Sequence, residues 1–197
     1  MNNKGALLKE LFTNLSTTGA VTFSSKSLVN KMLSYADFKG AKLIVELGGG
    51  DGSITHGIVE RMDPDAVLLV FEINKPFCNN LEKIFPQKNV KIICDSAENI
   101  DQYLGGKKAD LILSSLPLTL IPKPSREQIY KKCKENIVEN GKLIQICYSY
   151  LLKFQFGRYF EEIKSHLMFK NFPPTFMVVC VHEILLLGTS FLSLFRF

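Results

Sequence analysis

Short apolar runs alternate with segments of helical periodicity along most of the chain. Runs rich in branched apolar residues predict six strands, at residues 42–47, 66–72, 90–95, 109–115, 141–148 and 176–187. Helical spacing predicts four helices between them, at 52–62, 74–85, 125–139 and 153–166. This alternation is typical of an α/β protein with a mostly parallel sheet.

The N-terminal region has a helical pattern of its own. Leucines and a phenylalanine form one stripe that predicts a helix from Asn3 to Ser16, namely Leu7, Leu8, Leu11, Phe12 and Leu15. Ser24 or Ser25 is a suitable N-cap for a second helix that runs to about Ala36. We therefore expect an N-terminal helical extension over 1–38 and one α/β domain over 39–197.

The predicted strands end in residues of a special kind. Polar or glycine-rich residues follow five of the six apolar runs, at Gly48–Gly52, Glu72, Asp95, Ser114–Pro117 and Tyr148. In an open α/β sheet, ligands bind outside the carboxyl ends of the strands. The pattern therefore predicts a single ligand crevice at this edge.

The loop after the first strand has the sequence "GGGDG", which carries more glycines than an ordinary turn needs. Glycine allows positive φ and lets a ligand approach the main chain. A dinucleotide fingerprint would need a third glycine at Ser53, whereas Gly48, Gly50 and Gly52 have the spacing G-x-G-x-G. Glu72 closes the second strand and offers a carboxylate for ribose hydroxyls, a device that nicotinamide-dependent proteins share.

With the acidic Glu46 before it, this loop resembles motif I of the class I S-adenosylmethionine-dependent methyltransferases, and Asp95 closes the third strand as it does in that family. The resemblance implies a Rossmann-like, seven-stranded, mostly parallel sheet flanked by helices. It also implies S-adenosylmethionine as cofactor and S-adenosylhomocysteine as product, with Asp95 accepting from the adenine amino group. The expected cofactor-binding residues are Glu46, Gly48, Gly50, Gly52, Glu72, Ile73, Asp95, Ser96, Ala97 and Ser114.

The fourth strand end, "SSLPL", bears on the methyl acceptor. Enzymes that methylate base amino groups have Asn or Asp and an aromatic here, but this chain has Ser114 and Leu118. Without the aromatic, stacking onto a base is lost, which counts against rRNA adenine N6-dimethylation.

The form S-x-L-P instead resembles the bacterial phospholipid N-methyltransferases, which methylate phosphatidylethanolamine. Segments "TTGAVTFSSKSLVNKM", "NGKLIQICYSY" and "NFPPTFMVVCV" resemble stretches of that family in the same order. Where the family usually has Gly-Pro after the strand tyrosine, this chain has Ser149 and Tyr150, which leaves the identity of the aminolipid open. We expect Tyr148 and Ser114 to be catalytic, with Tyr148 orienting the amine.

Composition and charge fit these expectations. Net charge is +5, which suits an anionic partner such as RNA or a membrane surface. The five cysteines show no CxxC spacing and the three histidines are scattered, so we expect reduced thiols, a cytoplasmic location and no metal.

A phospholipid substrate requires the enzyme to reach a bilayer. We therefore expect peripheral contact with the inner membrane through the first amphipathic helix, and no nucleic-acid partner. The apolar residues 183–197 are too few for a membrane span, which needs about 20 residues. Two alternatives stay open: an rRNA adenine N6-dimethyltransferase, and a non-catalytic lipid-binding protein on the same fold.

Overall fold

A sheet with largely buried central strands organises the chain in the computed structural model, which describes residues 25–168 and 175–183. Its seven strands are β1 Leu43–Leu47, β2 Val67–Phe71, β3 Val90–Ile93, β4 Ala109–Ser114, β5 Ile137–Cys147, β6 Glu162–Met168 and β7 Thr175–Val181. The helices of the described residues are α1 Lys26–Leu33, α2 Ser53–Val59, α3 Lys75–Ile84, α4 Lys123–Glu135 and α5 Lys153–Phe156. Short 3-10 helices cover Ala97–Gln102 and Tyr150–Leu152.

The strand order is β3-β2-β1-β4-β5-β7-β6. The first five strands pair in parallel, and β7 runs antiparallel between β5 and β6. The order changes direction at β1, which pairs with β2 on one side and β4 on the other. The predicted Rossmann-like, mostly parallel, seven-stranded fold is confirmed.

Each face of the sheet carries a helical layer because the strands are apolar on both sides. On one face Val45 and Leu47 pack with Tyr130 of α4 and Phe156 of α5. On the other face Ile44 joins a cluster that contains the buried residues of α1 and α2 and Leu81 of α3. Helix α1 begins as predicted, since the Ser25 hydroxyl accepts a hydrogen bond from the Leu28 amide at 3.2 Å.

The predicted helix 153–166 is wrong beyond its first turn. Helix α5 ends at Phe156, and residues from Glu162 to Met168 form the edge strand β6, which pairs with β7 along its whole length. Ile163 and Leu167 have helical spacing, but strand pairing with the buried β7 outweighs that local preference.

The predicted helix 125–139 starts and ends too late. Helix α4 covers Lys123–Glu135, and β5 already begins at Ile137, which pairs with Ala109. A register shift between Ala109 and Leu111 accommodates the extra residues, and Asn140 there has a φ of 61°. The early start of β5 therefore depends on a bulge that apolar periodicity does not reveal.

Some expectations fall on other parts of the chain. The predicted helix Asn3–Ser16 and the apolar tail from residue 184 lie outside the described residues. Within the described ranges, no helix has the length and apolarity that crossing a membrane requires.

Candidate active site

The ends of neighbouring strands coincide at the carboxyl edge of the sheet. Leu47 of β1 is in register with Phe71 of β2 and with Ser114 of β4. Phe71 is in turn paired with Ile93, and Ser114 with Gln145. The residues that follow these positions therefore lie along one edge of the sheet, where the polar strand ends predicted a ligand crevice.

The glycine loop leaves β1 across the end of β2. The Gly48 and Gly49 amides both donate to the Phe71 carbonyl, at 2.8 and 3.0 Å. Gly48, Gly50 and Gly52 have φ of 88°, 51° and 85°, a region that other residues rarely adopt. Apart from its chain neighbours, a Cβ on Gly50 would meet no atom of the described residues within 4 Å, so the loop has open space at that point.

Glu72 holds the glycine loop in place. Its side chain is buried, with Oε2 accepting from the Gly50 amide at 2.9 Å and Oε1 from the Asn74 amide at 2.8 Å. Burial raises the pKa of Glu72, although the hydrogen bonds from backbone amides oppose that shift. Ile73 is the next residue of the same loop, between Glu72 and the N-cap Asn74 of α3. The sequence predicted Glu72 as a ligand residue but not its role in fixing the loop.

Asp95 is the centre of a polar cluster after β3. Its carboxylate accepts from the Ser96 amide at 2.7 Å, from Asn99 Nδ2 at 3.1 Å and from the Tyr103 hydroxyl at 2.8 Å. Burial works to raise the pKa of Asp95, but the hydrogen bonds from Tyr103, Ser96 and Asn99 outweigh it and lower the pKa. Ala97 begins the 3-10 helix that brings Asn99 into place.

Asn99 and Tyr103 were not predicted from the sequence. Tyr103 stands edge-on against Phe71, with 5.5 Å between ring centroids. The only available signal was that both polar residues follow Asp95 closely in the sequence, by four and eight residues.

Glu46 is the most deeply buried acidic side chain of the site, at 1% exposure. The Thr55 hydroxyl donates to Oε2 at 2.7 Å, whereas Oε1 has no hydrogen-bond partner among the described residues. Burial raises the pKa of Glu46 to about 8; the Thr55 hydrogen bond opposes the shift and the charges of Glu72 and Asp51 add to it. A buried carboxylate oxygen of this kind is stabilised by a cationic or hydrogen-bond-donating ligand group.

The loop between β4 and α4 forms the other wall. Ser115 Oγ donates to the Gly48 carbonyl at 2.8 Å and so ties this loop to the glycine loop. Gln145 Nε2 donates to the Leu116 carbonyl at 3.1 Å, and Arg126 Nη1 to the Leu118 carbonyl at 2.6 Å. These two clamps were not predicted, and they fix the wall from β5 and from α4.

The two residues predicted as catalytic lie in different surroundings. Ser114 is buried at 1% exposure, and its Oγ accepts from the Leu116 amide at 3.4 Å. Tyr148 follows the last residue of β5 and is 39% exposed at the carboxyl edge. Their catalytic roles stay predictions. Among the described residues, no group of three or more His, Cys, Asp or Glu side chains is placed to hold a metal ion.

The site fits an adenosyl sulfonium ligand. Gly50 opens the crevice, acidic side chains stand at the ends of β2 and β3, and the unpartnered Oε1 of Glu46 suits a positively charged group. The N-methyltransferase NodS from Bradyrhizobium japonicum, solved with S-adenosyl-l-homocysteine, has a similar fold, with a TM-score of 0.69 at 10% identity over 93% of this chain and 100% of that one. The fold is that of the class I S-adenosylmethionine-dependent methyltransferases, and the site has features that suit their cofactor.

Sequence relatives give a finer comparison. The ornithine lipid N-methyltransferase of Singulisphaera acidiphila is 25% identical over 178 residues, which are 88% of this chain and 93% of that enzyme. The ribosomal RNA small subunit methyltransferase A of Mycoplasma capricolum is 32% identical over 78 residues, which are 40% of this chain but only 28% of that enzyme. No family model matches the chain.

Two adjacent glycines of the loop give a testable contrast. A Cβ at Gly49 would lie 2.6 Å from Val70 Cγ1, so Gly49→Ala is expected to lower the free energy of unfolding by about 2 kcal/mol. Gly50→Ala has open space for its methyl group among the described residues and costs only about 1 kcal/mol for its positive φ, but we expect that methyl group to stand in the way of the ligand. Urea unfolding and calorimetric titration with S-adenosylhomocysteine measure both effects. Unchanged ligand affinity in Gly50→Ala would place the ligand elsewhere.

Proposed function

We propose that this chain, an S-adenosylmethionine-dependent N-methyltransferase, methylates the amine of a membrane aminolipid. The supporting observation is the match to an ornithine lipid N-methyltransferase along 88% of the chain and 93% of that enzyme. Ornithine lipid and phosphatidylethanolamine both present a primary amine next to a lipid body, so both are candidate acceptors.

The wall opposite the glycine loop supports an acceptor other than a nucleic-acid base. Leu118 stands where enzymes that methylate base amino groups have an aromatic, and it is 2% exposed within the apolar core. A leucine that is buried in this way offers no ring face for a base to stack on. This observation favours the aminolipid over the rRNA adenine.

The donor would be held by side chains from three strand ends. Glu72 would bind the ribose hydroxyls, Asp95 with the backbone of Ser96 and Ala97 would bind the adenine, and Oε1 of Glu46 would face the cationic end. When bound, S-adenosylmethionine supplies a methyl group on a sulfonium, which is a strong electrophile. The remaining task of the protein is to position the acceptor amine in line.

The acceptor amine has to be neutral when it attacks, and a primary ammonium in water has a pKa of about 10. A partly apolar surface beside the amine disfavours the charged ammonium and lowers its pKa. Leu116 and the ring of Tyr148 would supply this surface, with the Tyr148 hydroxyl as a hydrogen-bond partner for the amine. The ring face would then stabilise the methylated ammonium product by cation–π attraction.

A labelling experiment tests the proposal. Purified protein is incubated with methyl-labelled S-adenosylmethionine and with vesicles that contain ornithine lipid, vesicles that contain phosphatidylethanolamine, or rRNA. We expect label in the organic phase, at an aminolipid position on thin-layer chromatography, and far less label when Glu72→Gln replaces the wild type at a limiting donor concentration. Label in the RNA would overturn the proposal. Vesicle binding without any transfer would favour the non-catalytic lipid-binding alternative.

A further inference from the structure

Exposed apolar side chains are concentrated at one edge of the molecule. Eight large hydrophobic side chains are exposed among the described residues, and all but Ile84 follow or flank strand ends at the carboxyl edge. We call five of them the apolar rim: Leu120, Tyr150, Leu151, Phe154 and Leu167. Leu151 is 70% exposed and Phe154 is 61% exposed. A contiguous apolar surface of this kind marks a site of interaction with another molecule.

Contacts between neighbours make part of the rim a continuous surface. The Tyr150 ring lies 5.3 Å from the Phe176 ring and 6.1 Å from the Phe154 ring, centroid to centroid. Leu167 is the cross-strand partner of Phe176, so both side chains stand on the same face of the sheet. The surface therefore extends from the segment after β5 to the edge strand β6.

A basic side chain accompanies the aromatic part of the rim. Lys153 Nζ lies 3.9 Å from the centroid of Tyr150 and 5.2 Å from that of Phe154. Lys123 at the start of α4 and Arg158 after α5 are both more than half exposed, and each lies within 4 Å of the Glu127 carboxylate. Lys153 is therefore the cation that the contacts place on the rim itself.

We infer that the apolar rim is the surface through which the protein binds an anionic lipid bilayer. This inference rests on the proposed action on an aminolipid. Tyrosine and lysine beside leucine and phenylalanine is the composition of protein surfaces at a membrane–water interface. Basic residues are attracted to an anionic leaflet, whereas a purely apolar partner would offer them no such attraction. Tyr148 precedes the rim directly, so a head group reaches the crevice while its acyl chains stay in the bilayer.

The residues of this surface are distant in sequence from the N-terminal helix predicted to contact the membrane. It is built by residues after β4, β5 and within β6, and it belongs to the methyltransferase domain itself. Removal of residues 1–16 should therefore leave part of the membrane affinity intact.

The test measures vesicle binding without any methyl donor. The full chain is co-sedimented with phosphatidylcholine vesicles that contain or lack phosphatidylglycerol. Leu151→Ser combined with Phe154→Ser is expected to reduce binding to the anionic vesicles roughly tenfold, because two apolar side chains no longer enter the interface. Ile84→Ser is the matched control, since Ile84 is 38% exposed on α3, in the helical layer of the opposite face. Its binding should equal that of the wild type.

A second variant tests the charge. Lys153→Gln is expected to weaken binding several-fold on the anionic vesicles and to leave binding to neutral vesicles unchanged. Thermal unfolding and S-adenosylhomocysteine affinity, both unchanged, show that each variant is folded.

Several outcomes would overturn the inference. One is that the double variant binds vesicles as well as the wild type. If its thermal stability is also lower, another part of the chain covers the rim. If the wild type forms a dimer that the double variant does not form, and vesicle binding is unchanged, a second copy of the chain covers the rim. Vesicle binding is measured without a donor, so it does not depend on methyl transfer. Failure to methylate any aminolipid would contradict the proposed function without deciding whether the rim binds membranes.

Discussion

Glu72→Gln is expected to weaken S-adenosylhomocysteine binding by about two orders of magnitude. A carboxylate accepting from two ribose hydroxyls contributes about 1.5 kcal/mol for each charge-assisted hydrogen bond, and two such bonds correspond to roughly a hundredfold in affinity. The substitution also acts on the protein itself. The Glu72 carboxylate accepts hydrogen bonds from the Gly50 and Asn74 amides at 2.9 and 2.8 Å. The side-chain amide of glutamine has only one oxygen, so its NH2 group would face one of these two donors.

The measurement is calorimetric titration, with Glu82→Gln as control because Glu82 lies exposed on the neighbouring helix α3. The control should bind like the wild type. The free energy of unfolding of Glu72→Gln should stay close to that of the wild type, since loss of a buried charge offsets loss of a loop contact. Wild-type affinity in Glu72→Gln would contradict the assignment of Glu72 to the ribose.

Glu46→Gln is expected to stabilise the free protein at pH 8 by about 2 kcal/mol while it weakens donor binding. Burial raises the pKa of Glu46 to about 8, so ionisation of this carboxyl opposes folding in the unliganded chain. A glutamine keeps an acceptor for the Thr55 hydroxyl, which now donates to Oε2 at 2.7 Å. It removes the charge that would face the cationic part of the donor.

The sign of the pH dependence follows from the raised pKa. Between the unfolded-state value of 4.5 and the folded-state value of about 8, the native Glu46 keeps a proton that the unfolded chain has lost. This contribution to stability is therefore fully present at low pH and is lost as pH rises toward 8. Urea unfolding at pH 5 and pH 8 should show a larger decline for the wild type than for Glu46→Gln.

Donor binding should change in the opposite direction. Wild-type affinity for S-adenosylmethionine should rise from pH 6 to pH 9 as Glu46 ionises, and the affinity of Glu46→Gln should stay lower and flatter over this range. Equal declines in stability for both proteins would show that Glu46 does not titrate in this window. Equal affinities would show that it does not face the donor.

Much of the geometry of the candidate site could be predicted because local sequence and topology agree there. Parallel strands bring their carboxyl ends to one edge, so Glu72 and Asp95 were expected near the glycine loop although they are distant in sequence. The loop also carries its own chemistry, since positive φ at Gly48, Gly50 and Gly52 follows from the residue type.

The missed features depend on contacts between distant parts of the chain. Gln145 reaches the Leu116 carbonyl across 29 residues, and no local pattern announces such a clamp. Strand β6 was predicted as helix because its residues are only half-buried and many are polar, so its pairing with β7 decides its structure. The early start of β5 depends on a bulge opposite β4 for the same reason.

A crystal structure of this chain grown with S-adenosylhomocysteine tests the central claim most directly. We predict ligand density in the crevice beside Gly50, with the ribose on Glu72, the adenine beside Asp95 and the amino end toward Glu46. An empty crevice at saturating ligand, or a ligand bound away from the glycine loop, would contradict the account.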